Sequence, residues 1–408
     1  MTERALLDTS TVIALFQEER AFNVSSFDRV AVSSLTYAEL RLGISMARSA
    51  DVARARMAAL EELQRVFGVG IPFDDRAAEW YGRITRRVES TGGDPRAHRT
   101  DRMIAAIAAA HRRFGTTALL PTLISDDLRI VAKALDAIDA AIAAGVPGVR
   151  GIHVEGPFLN PDRHGIHDVA HLRRIDEAAV ALLSAPRRGR VLVTLAPELA
   201  PPGAIAALCR AGVVVAAGHS DASFETAQAA FAGGVAGVTH LFNAMSPLTS
   251  RAPGLVGATL DDDRAIAGII VDGHHVHPAS LRVALRAMTA ERLMLVTDAM
   301  PTTGSDSDGF TLGGREIRLR DGRLTDAAGT LAGSALSMIE AVHNAVSMLG
   351  VSLETAIAMA SRVPARFMAL DTRIGTIAVG MDADIVALDA SGQVTRSWIG
   401  GAYQSFDR

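Results

Sequence analysis

Four residues with side chains suited to metal binding and proton transfer stand at the ends of apolar, strand-like runs in this chain. They are Glu155, His219, His240 and Asp298. His219 and His240 are 21 residues apart, about one strand and one helix, so neighbouring parallel strands could present both imidazoles to one divalent ion. Glu155 completes a set of two histidines and one carboxylate that leaves a coordination position for water. A lone histidine in a turn is usually structural, but four such residues at four strand ends favour a metal centre.

The elements that carry these residues alternate between strand and helix from residue 117 onward. Each apolar run is followed by enough chain for a crossover, which indicates a parallel sheet. Polar residues at the carboxyl ends of such strands are typical of a (β/α)-barrel active site. A closed barrel of this kind has eight strands, so one strand is missing from the pattern. The apolar runs are 117–125, 149–157, 190–198, 213–219, 235–243, 265–273 and 292–300.

Two helices and a hairpin follow the barrel pattern. The helices are predicted over 334–350 and 352–369, and the hairpin turns at Ser391 and Gly392. We expect the hairpin to be the remnant of a small β sandwich. The predicted fold class is therefore α/β: a (β/α)8-type barrel without its first strand, with this C-terminal remnant behind it and a small α/β domain in front.

Composition narrows the class of protein. The 408 residues are 49% hydrophobic and 21% charged, which is typical of a globular, multidomain chain and excludes collagen-like and disordered proteins. The single cysteine, Cys209, permits no internal disulfide, so a reducing cytoplasm is expected. No apolar run approaches 18 residues, and Asp8 interrupts the position of a signal-peptide core. Neither a membrane span nor a secretory leader is predicted.

Six longer motifs surround the chemical residues: HVEGPFLNPDRHGIH, AAGHSDASFETAQAA, THLFNAMSPLTSRAPGLVGA, IIVDGHHVHP, LVTDAMPTTG and GTLAGSALSMIEAV. Together they resemble the N-acetylglucosamine-6-phosphate deacetylases of the amidohydrolase superfamily, from about Gly115 to Gly401. The resemblance implies a metal-dependent hydrolase that converts N-acetylglucosamine 6-phosphate to glucosamine 6-phosphate and acetate in amino-sugar catabolism.

The resemblance also implies roles for the matching metal and catalytic positions. Glu155, His219 and His240 would bind one divalent metal, which could be zinc, iron, manganese or cobalt. Asp298 would be the catalytic acid and base, and His275 would assist at the substrate carbonyl or phosphate.

A second set of positions matches the substrate contacts of the family. These are His167, Asn243, Ala244, Arg251 and His275. Asn243, Ala244 and Arg251 would contact the sugar phosphate, and Arg251 in this family commonly crosses a dimer interface. The expected partners are therefore a small sugar phosphate and a second copy of the chain.

The chain departs from the family at its amino-terminal side. The deacetylases begin with sandwich strands and a first barrel strand that ends in a His-x-His or Gln-x-Asn pair, and no such pair precedes Thr117. This absence accounts for the eighth strand. It leaves the single-metal set intact and removes the usual ligands of a second metal.

The segment in that position has acidic residues of its own. Asp8 follows the apolar residues that open the first predicted strand, Glu39 opens a helix, and Asp101 opens another in RTDRMIAAIAAAH. The set resembles the PIN-domain ribonucleases of VapC-like toxins over about residues 4–113. The resemblance implies a Mg²⁺ site, RNA cleavage and an antitoxin partner, but the PIN pattern lacks its last strand and fourth acid. Strands are predicted at 5–12, 29–35 and 69–73, and helices at 36–47, 51–67, 75–91 and 99–114.

The two resemblances meet between Met103 and Gly115, where the helix 99–114 can take the place of the first barrel helix. The predicted domains are 1–114 (PIN-like), 115–370 (barrel) and 371–408 (sandwich remnant). Three functions stay open: a deacetylase with a replaced amino terminus, a chimeric product inactive in both activities, and a Mg²⁺-dependent ribonuclease that carries a barrel remnant.

Overall fold

The computed structural model describes residues 4–7, 29–32, 40, 44, 49–67, 99–305 and 307–406. In the amino-terminal part, β1 (Arg4–Leu7) and β2 (Arg29–Val32) form a parallel pair. These two strands agree with the predicted start of a small α/β domain. The helix α1 (Ala50–Phe67) also matches its prediction. The predicted strand 69–73 and helix 75–91 lie outside the described residues.

A seven-stranded sheet dominates the rest of the chain. All neighbouring strands are parallel and follow one another in chain order. The seven predicted strands and their parallel arrangement are therefore confirmed. The ladder ends at β3 on one side and β9 on the other, and no eighth strand joins them within the described residues. The strands are β3 (Thr122–Ile124), β4 (Gly151–Glu155), β5 (Arg190–Leu195), β6 (Val214–Ala217), β7 (Gly237–Val238), β8 (Ile266–Ile269) and β9 (Leu293–Leu295).

Helices provide the crossovers between these strands. Several begin with a side-chain cap: Asp176 accepts a bond from the Ala179 amide, and Ser223 accepts one from Thr226, which satisfies amides that a helix start leaves free. The helices are α2 (Arg99–Arg112), α3 (Leu128–Ala143), α4 (Glu177–Ser184), α5 (Ala204–Arg210), α6 (Phe224–Ala232), α7 (Gly254–Asp261) and α8 (Pro278–Met288). None of the helices in the described ranges is long and apolar enough to cross a membrane.

The strands from β4 to β9 are mostly buried, as expected for a parallel sheet covered by helices, while the edge strand β3 is partly exposed. Every residue of β4 and β8 is buried. Two glycines permit close backbone approach inside the sheet, because a Cβ on Gly151 would lie 1.9 Å from the Arg190 carbonyl oxygen and one on Gly237 would lie 1.7 Å from that of Ile266. Backbone packing therefore fixes glycine at both positions.

The elements after β9 were predicted only in part. The four-stranded antiparallel sheet β10 (Gly309–Leu312), β11 (Arg315–Arg320), β12 (Arg323–Thr325) and β13 (Leu331–Ser334) was not predicted. Its β11 and β12 are rich in arginine and only partly buried, so they lack a continuous apolar run. The sheet reaches the barrel at Ser334, whose amide donates to the Asp298 carbonyl oxygen at 2.8 Å.

The two predicted helices near the C terminus are present in a more broken form. The first is α9 (Met338–Asn344), continued by a π-helical turn over Ala345–Leu349. It begins at the capping box that Ser337 forms with Glu340. The second divides into α10 (Leu353–Ala360) and α11 (Arg362–Phe367), since Pro364 has no amide proton to continue the helical hydrogen bonds.

The predicted C-terminal hairpin is confirmed and has a third strand. β14 (Ile385–Leu388), β15 (Val394–Ile399) and β16 (Ala402–Ser405) form an antiparallel sheet. Gly392 has a φ of 80° in the connecting turn, a conformation that favours glycine.

Arg112 connects this C-terminal sheet to the helix at the predicted domain junction. The helix α2 packs against α3 and buries Ile104 and Ala108 in the main core. At its end, the buried Arg112 guanidinium donates to Ser397 Oγ at 2.8 Å, to the Ser397 carbonyl at 3.2 Å and to the Ala402 carbonyl. The packing on α3 places α2 with the barrel, and the Arg112 contacts join it to the C-terminal sheet. The predicted domain division at residues 114 and 370 stays a prediction.

We expect Arg112→Met to lower the free energy of unfolding by about 2–4 kcal/mol, because it leaves buried acceptors on β15 and β16 without a charged donor. Guanidinium-induced unfolding would measure the loss. The neighbouring Arg113, which is exposed and lies over the Phe114 ring, provides the control Arg113→Met. Equal stability of the two variants would contradict a stabilising role for the Arg112 contacts.

Candidate functional site

Three potential metal ligands converge at the carboxyl end of the sheet. Glu155 is the last residue of β4, His219 follows β6, and His240 follows β7. His240 Nε2 lies 3.1 Å from both Glu155 Oε1 and His219 Nε2, and His219 Nε2 lies 3.4 Å from Glu155 Oε1. All three side chains are buried. Two nitrogens and one carboxylate oxygen so close together fit a divalent ion such as Zn²⁺.

The tautomer of His219 supports this arrangement. Its Nδ1 lies 2.8 Å from the carbonyl oxygen of Arg163, an acceptor that requires the proton on Nδ1. Nε2 therefore keeps a lone pair directed at the cluster, as in many metal-binding histidines. The Nδ1 of His240 is buried without a hydrogen-bond partner among the described residues.

The electrostatics of the cluster also favour a cation. Burial opposes the charge of Glu155, but the neighbouring imidazoles of His219 and His240 hold its pKa well below the usual range. Burial likewise opposes protonation of His240, yet the hydrogen bond and the charge of Glu155 raise its pKa. The site thus stabilises positive charge beside a buried carboxylate, and a divalent metal would supply that charge.

Strained backbone accompanies the site residues. His219, His240 and Asp298 have φ values of 48°, 35° and 49°, in the left-handed region that side chains other than glycine rarely adopt. All three residues lie just beyond strand ends. Such strain persists where the surrounding structure holds it and is concentrated at functional sites.

Asp298 lies close enough to the cluster to interact with its charges. Desolvation and the negative charge of Glu155 raise its pKa, while the histidines of the cluster oppose the rise. Its backbone carbonyl is held by the Ser334 amide from β13. A carboxyl group whose pKa is raised and which neighbours a potential metal centre has the properties of a general base.

Two further histidines have fixed rings. His275 Nδ1 lies 2.6 Å from Asp272 Oδ2, and both side chains are more than nine-tenths buried. His167 Nδ1 accepts the Ser125 amide and lies 2.8 Å from Ser125 Oγ. Each ring therefore has its Nε2 left for other contacts.

His167 is also part of the immediate surroundings of the cluster. Its ring centroid is 4.6 Å from that of His219. Burial, followed by the positive charge of His219, lowers the pKa of His167 to about 3. His167 is therefore neutral near pH 7.

The remaining predicted substrate contacts lie on one connection, between β7 and α7. Asn243 is half-buried, and its amide nitrogen donates to the His240 carbonyl at 3.1 Å. Ala244 has a φ of 46°, and its carbonyl accepts the Ser220 amide at 3.1 Å. Arg251 is exposed. The structure therefore brings Asn243 and Ala244 to the turn that follows His240, while Arg251 lies on the outer part of the same loop.

The structure does not describe the side chains of the three acidic residues of the predicted PIN domain. Asp8 and Glu39 lie outside the described residues, and Asp101 lies in α2 with a side chain that is also outside them. The Mg²⁺ site and the ribonuclease assignment stay predictions. Asp126 and Asp127, which follow β3, lie with His171 in a second, more exposed group of potential ligands.

Several residues that support the site were not predicted. Asp272 orients His275, the Arg163 carbonyl orients His219, and Glu198 joins the loops around His219. Their role depends on distant parts of the chain, so no local pattern reveals it. The DGHH spacing of Asp272 and His275 is the one local signal, because it places a carboxylate three residues before the histidine.

The fold and the cluster define a class: hydrolases with a metal centre at the carboxyl ends of parallel strands in a (β/α)-barrel. The amidohydrolase family model matches residues 100–403. The chain belongs to the amidohydrolase family. The match leaves residues 1–99 outside the family model, while the predicted junction between Met103 and Gly115 stays a prediction.

Within this family, the chain is similar to several deacetylases that act on hexosamine 6-phosphates. An N-acetylgalactosamine-6-phosphate deacetylase of Shewanella sp. (strain ANA-3) is 46% identical over 72% of this chain and 74% of its own. The N-acetylglucosamine-6-phosphate deacetylase of Bos taurus is 40% identical over 73% of this chain and 75% of its own. The crystal structure of an N-acetylglucosamine-6-phosphate deacetylase from Pasteurella multocida covers 75% of this chain and 80% of its own, with 32% identity and a TM-score of 0.73.

We expect the double variant His219→Ala and His240→Ala to lose about one divalent metal ion per chain, because a single carboxylate cannot hold the ion alone. Elemental analysis of the purified full chain measures the metal content. The matched control is His171→Ala, which removes the imidazole of the second, more exposed group. Loss of metal from the control with full retention in the double variant would place the ion elsewhere.

Proposed function

We propose that this chain hydrolyses the acetamide of N-acetylglucosamine 6-phosphate to glucosamine 6-phosphate and acetate. The observation that carries the proposal is the buried convergence of Glu155, His219 and His240 beside Asp298. Relatives with this activity in their names share about two-fifths of the aligned residues, as the 40% identity to the Bos taurus enzyme illustrates. The whole proposed set of metal ligands and catalytic groups lies within residues 100–403, which the amidohydrolase family model matches.

The chemistry of an amide explains the need for these groups. Its carbonyl is a weak electrophile and its amine is a poor leaving group, so a catalyst must polarise the first and protonate the second. A divalent ion held by Glu155, His219 and His240 would polarise the carbonyl oxygen and acidify a water molecule. Which of the common divalent metals is bound is left open by this ligand set.

Asp298 would move the proton in both halves of the reaction. As a carboxylate it accepts a proton from the attacking water, and as a carboxylic acid it then delivers this proton to the departing amine. The raised pKa of Asp298 favours the first step, since it makes the carboxylate a stronger base. One residue can therefore act as base and acid in turn.

The two fixed histidines would complete the substrate site. Asp272 leaves Nε2 of His275 available, and a proton on that nitrogen could donate to the developing oxyanion. His167 would contact the sugar through its own Nε2–H, because its Nδ1 accepts the Ser125 amide. Asn243, Ala244 and Arg251 would bind the phosphate, with Arg251 reaching the site of a partner subunit in a homodimer.

N-acetylgalactosamine 6-phosphate is a second candidate substrate. The observation that favours it is the name of the Shewanella relative, whose identity to this chain is 46%. The two sugars present the same acetamide and the same phosphate and differ in the orientation of one hydroxyl group. The proposed mechanism is therefore unchanged for either sugar, and only the pocket around that hydroxyl would distinguish them.

For the amino-terminal segment, we propose separately that Asp8, Glu39 and Asp101 form a Mg²⁺-dependent ribonuclease site, with RNA and an antitoxin as its partners. Only the sequence resemblance supports this activity. A solved VapBC-5 toxin–antitoxin structure from Mycobacterium tuberculosis covers 36% of this chain at a TM-score of 0.15, too low to establish a common fold.

We expect the full chain to cleave RNA with Mg²⁺ and Asp8→Asn to abolish cleavage. Equal rates for the two proteins would remove the assignment.

We expect Asp298→Asn to lower kcat for amine release by at least about 100-fold, because asparagine can neither accept nor deliver the proton. KM should change much less, since the amide keeps nearly the same shape. Amine release from both hexosamine 6-phosphates, measured on the metal-loaded full chain, provides the readout and ranks the two substrates.

The same assay contains two controls. Asp308→Asn removes an exposed carboxylate on the loop that precedes β10 and should leave turnover unchanged. The sugar without its phosphate should react with a higher KM, in accord with a phosphate site. Full activity of the Asp298 variant would contradict the proposed mechanism, and equal KM values with and without phosphate would contradict the phosphate contacts.

A further inference from the structure

Glu198 lies at the carboxyl end of β5, a strand that supplies no metal ligand or catalytic residue in the proposed mechanism. It belongs to the single 3-10 turn Pro197–Leu199 that follows the strand, and its side chain is half-buried. In a (β/α)-barrel this position faces the active-site end. Because the carboxylate is partly removed from water, hydrogen-bond donors are needed to offset the free-energy cost of its desolvation.

Three donors from two other loops converge on this carboxylate. Glu198 Oε1 accepts the Asn160 side-chain amide at 2.8 Å and the Asp221 backbone amide at 2.7 Å. Glu198 Oε2 accepts the Ser220 hydroxyl at 2.7 Å. Both carboxylate oxygens are therefore used, and the side chain bridges the loops that follow β4 and β6.

These two loops are the ones that determine the position of His219. Ser220 and Asp221 follow it directly in the chain. From the other side, the Asn160 backbone amide donates to the His219 carbonyl at 2.8 Å, and the Arg163 carbonyl accepts from His219 Nδ1 at 2.8 Å. Glu198 thus fastens together the two segments between which the imidazole is oriented.

The strained backbone of His219 explains why a bridge between these loops is needed. With a φ of 48°, the residue occupies a conformation that needs external support. The loops are also linked by an ion pair between Arg163 and Asp221 at 2.7 Å, but these side chains are 34% and 48% exposed, so water and salt weaken that link. Glu198, with three short hydrogen bonds, is the firmer connection.

We propose that Glu198 is a positioning residue for His219, which sets the metal affinity of the candidate centre without touching the ion. This inference rests on the proposed metal centre of Glu155, His219 and His240. Residues that orient metal ligands typically change affinity by about 10–100-fold when they are replaced.

Two conservative variants separate the bridge from its charge. Glu198→Gln keeps the length: its oxygen can accept from Asn160 and Asp221, and its NH₂ can donate to Ser220 Oγ once that hydroxyl rotates. Glu198→Asp keeps the charge, but its side chain is one carbon shorter and cannot reach both loops. We therefore expect near-normal metal binding in the glutamine variant and weaker binding in the aspartate variant.

The measurement is Zn²⁺ affinity of the full-length apoprotein, determined by competition with a chromophoric chelator. The dissociation constant should rise about 10–100-fold in Glu198→Asp and Glu198→Ala and less than about threefold in Glu198→Gln. Glu225→Ala is the matched control, because this exposed carboxylate in the first turn of α6 accepts a hydrogen bond from the Ser223 hydroxyl and joins no second loop within the described residues. It should bind Zn²⁺ like the unaltered chain.

Each other result overturns the inference in a recognisable way. Normal affinity in the aspartate variant with weak affinity in the glutamine variant would mean that charge, and not the bridge, matters. A lower melting temperature with unchanged Zn²⁺ affinity in the aspartate and alanine variants would mean a purely structural role. His219→Ala, measured alongside, identifies failure of the metal centre itself, since its affinity would then be unchanged as well.

Discussion

The structure of the site depends on one constraint: two imidazole nitrogens and a carboxylate oxygen lie within 3.4 Å of one another in a buried place. Polar atoms removed from water are costly unless they find compensating charge or hydrogen bonds. The convergence of two imidazole nitrogens on the negatively charged Glu155 calls for positive charge at their centre. The left-handed backbone at His219 and His240, and the fixed tautomer of His219, are arrangements that maintain this convergence.

Hydrogen bonds from outside the cluster distribute that constraint over several strand ends. The Arg163 carbonyl comes from the loop after β4, Glu198 follows β5, and Asp272 follows β8. Each of these groups hydrogen-bonds to a histidine or to the loops around one. The parallel sheet therefore holds several independent groups that orient the histidines. Because parallel strands end at the same edge, a ligand from one strand and its support from the next lie close together without any local sequence relation.

This difference explains how much of the site could be predicted. Glu155, His219, His240 and Asp298 follow apolar strands, and the common edge of a parallel sheet was enough to predict their proximity, which the structure shows for the three potential ligands. Glu198 and Arg163 could not be found in that way. Their partners are 22 to 56 residues away in the chain, and a carboxylate after a strand has no signature that separates a support from a solvated residue.

In the fold as well, elements with a local sequence pattern were predicted and elements that depend on contacts between distant residues were not. The seven parallel strands were predicted because buried strands appear as short apolar runs between helical crossovers. The antiparallel sheet β10–β13 was missed because its stability comes from a few side chains that pack together: Phe310, Ile317, Leu324 and Ala332 form its core across four strands. In such strands, alternation with exposed arginines hides the apolar face.

Within the described residues the ladder has seven strands and no eighth, which separates closure of the barrel from its chemistry. All proposed metal ligands and catalytic residues follow strands from β4 to β9, which form one continuous ladder with β3. At the opposite end of the barrel, Val363, Phe367 and Met368, from α11 and the residue after it, pack against Leu192, Ala216, Ile266 and Met294 from the strands. Closer to the site, His153, Thr194 and Thr239 form a buried hydrogen-bonded chain. Residues of the described strands and of α11 thus pack together in the interior, and every residue of the single-metal set lies on a described strand or just after one.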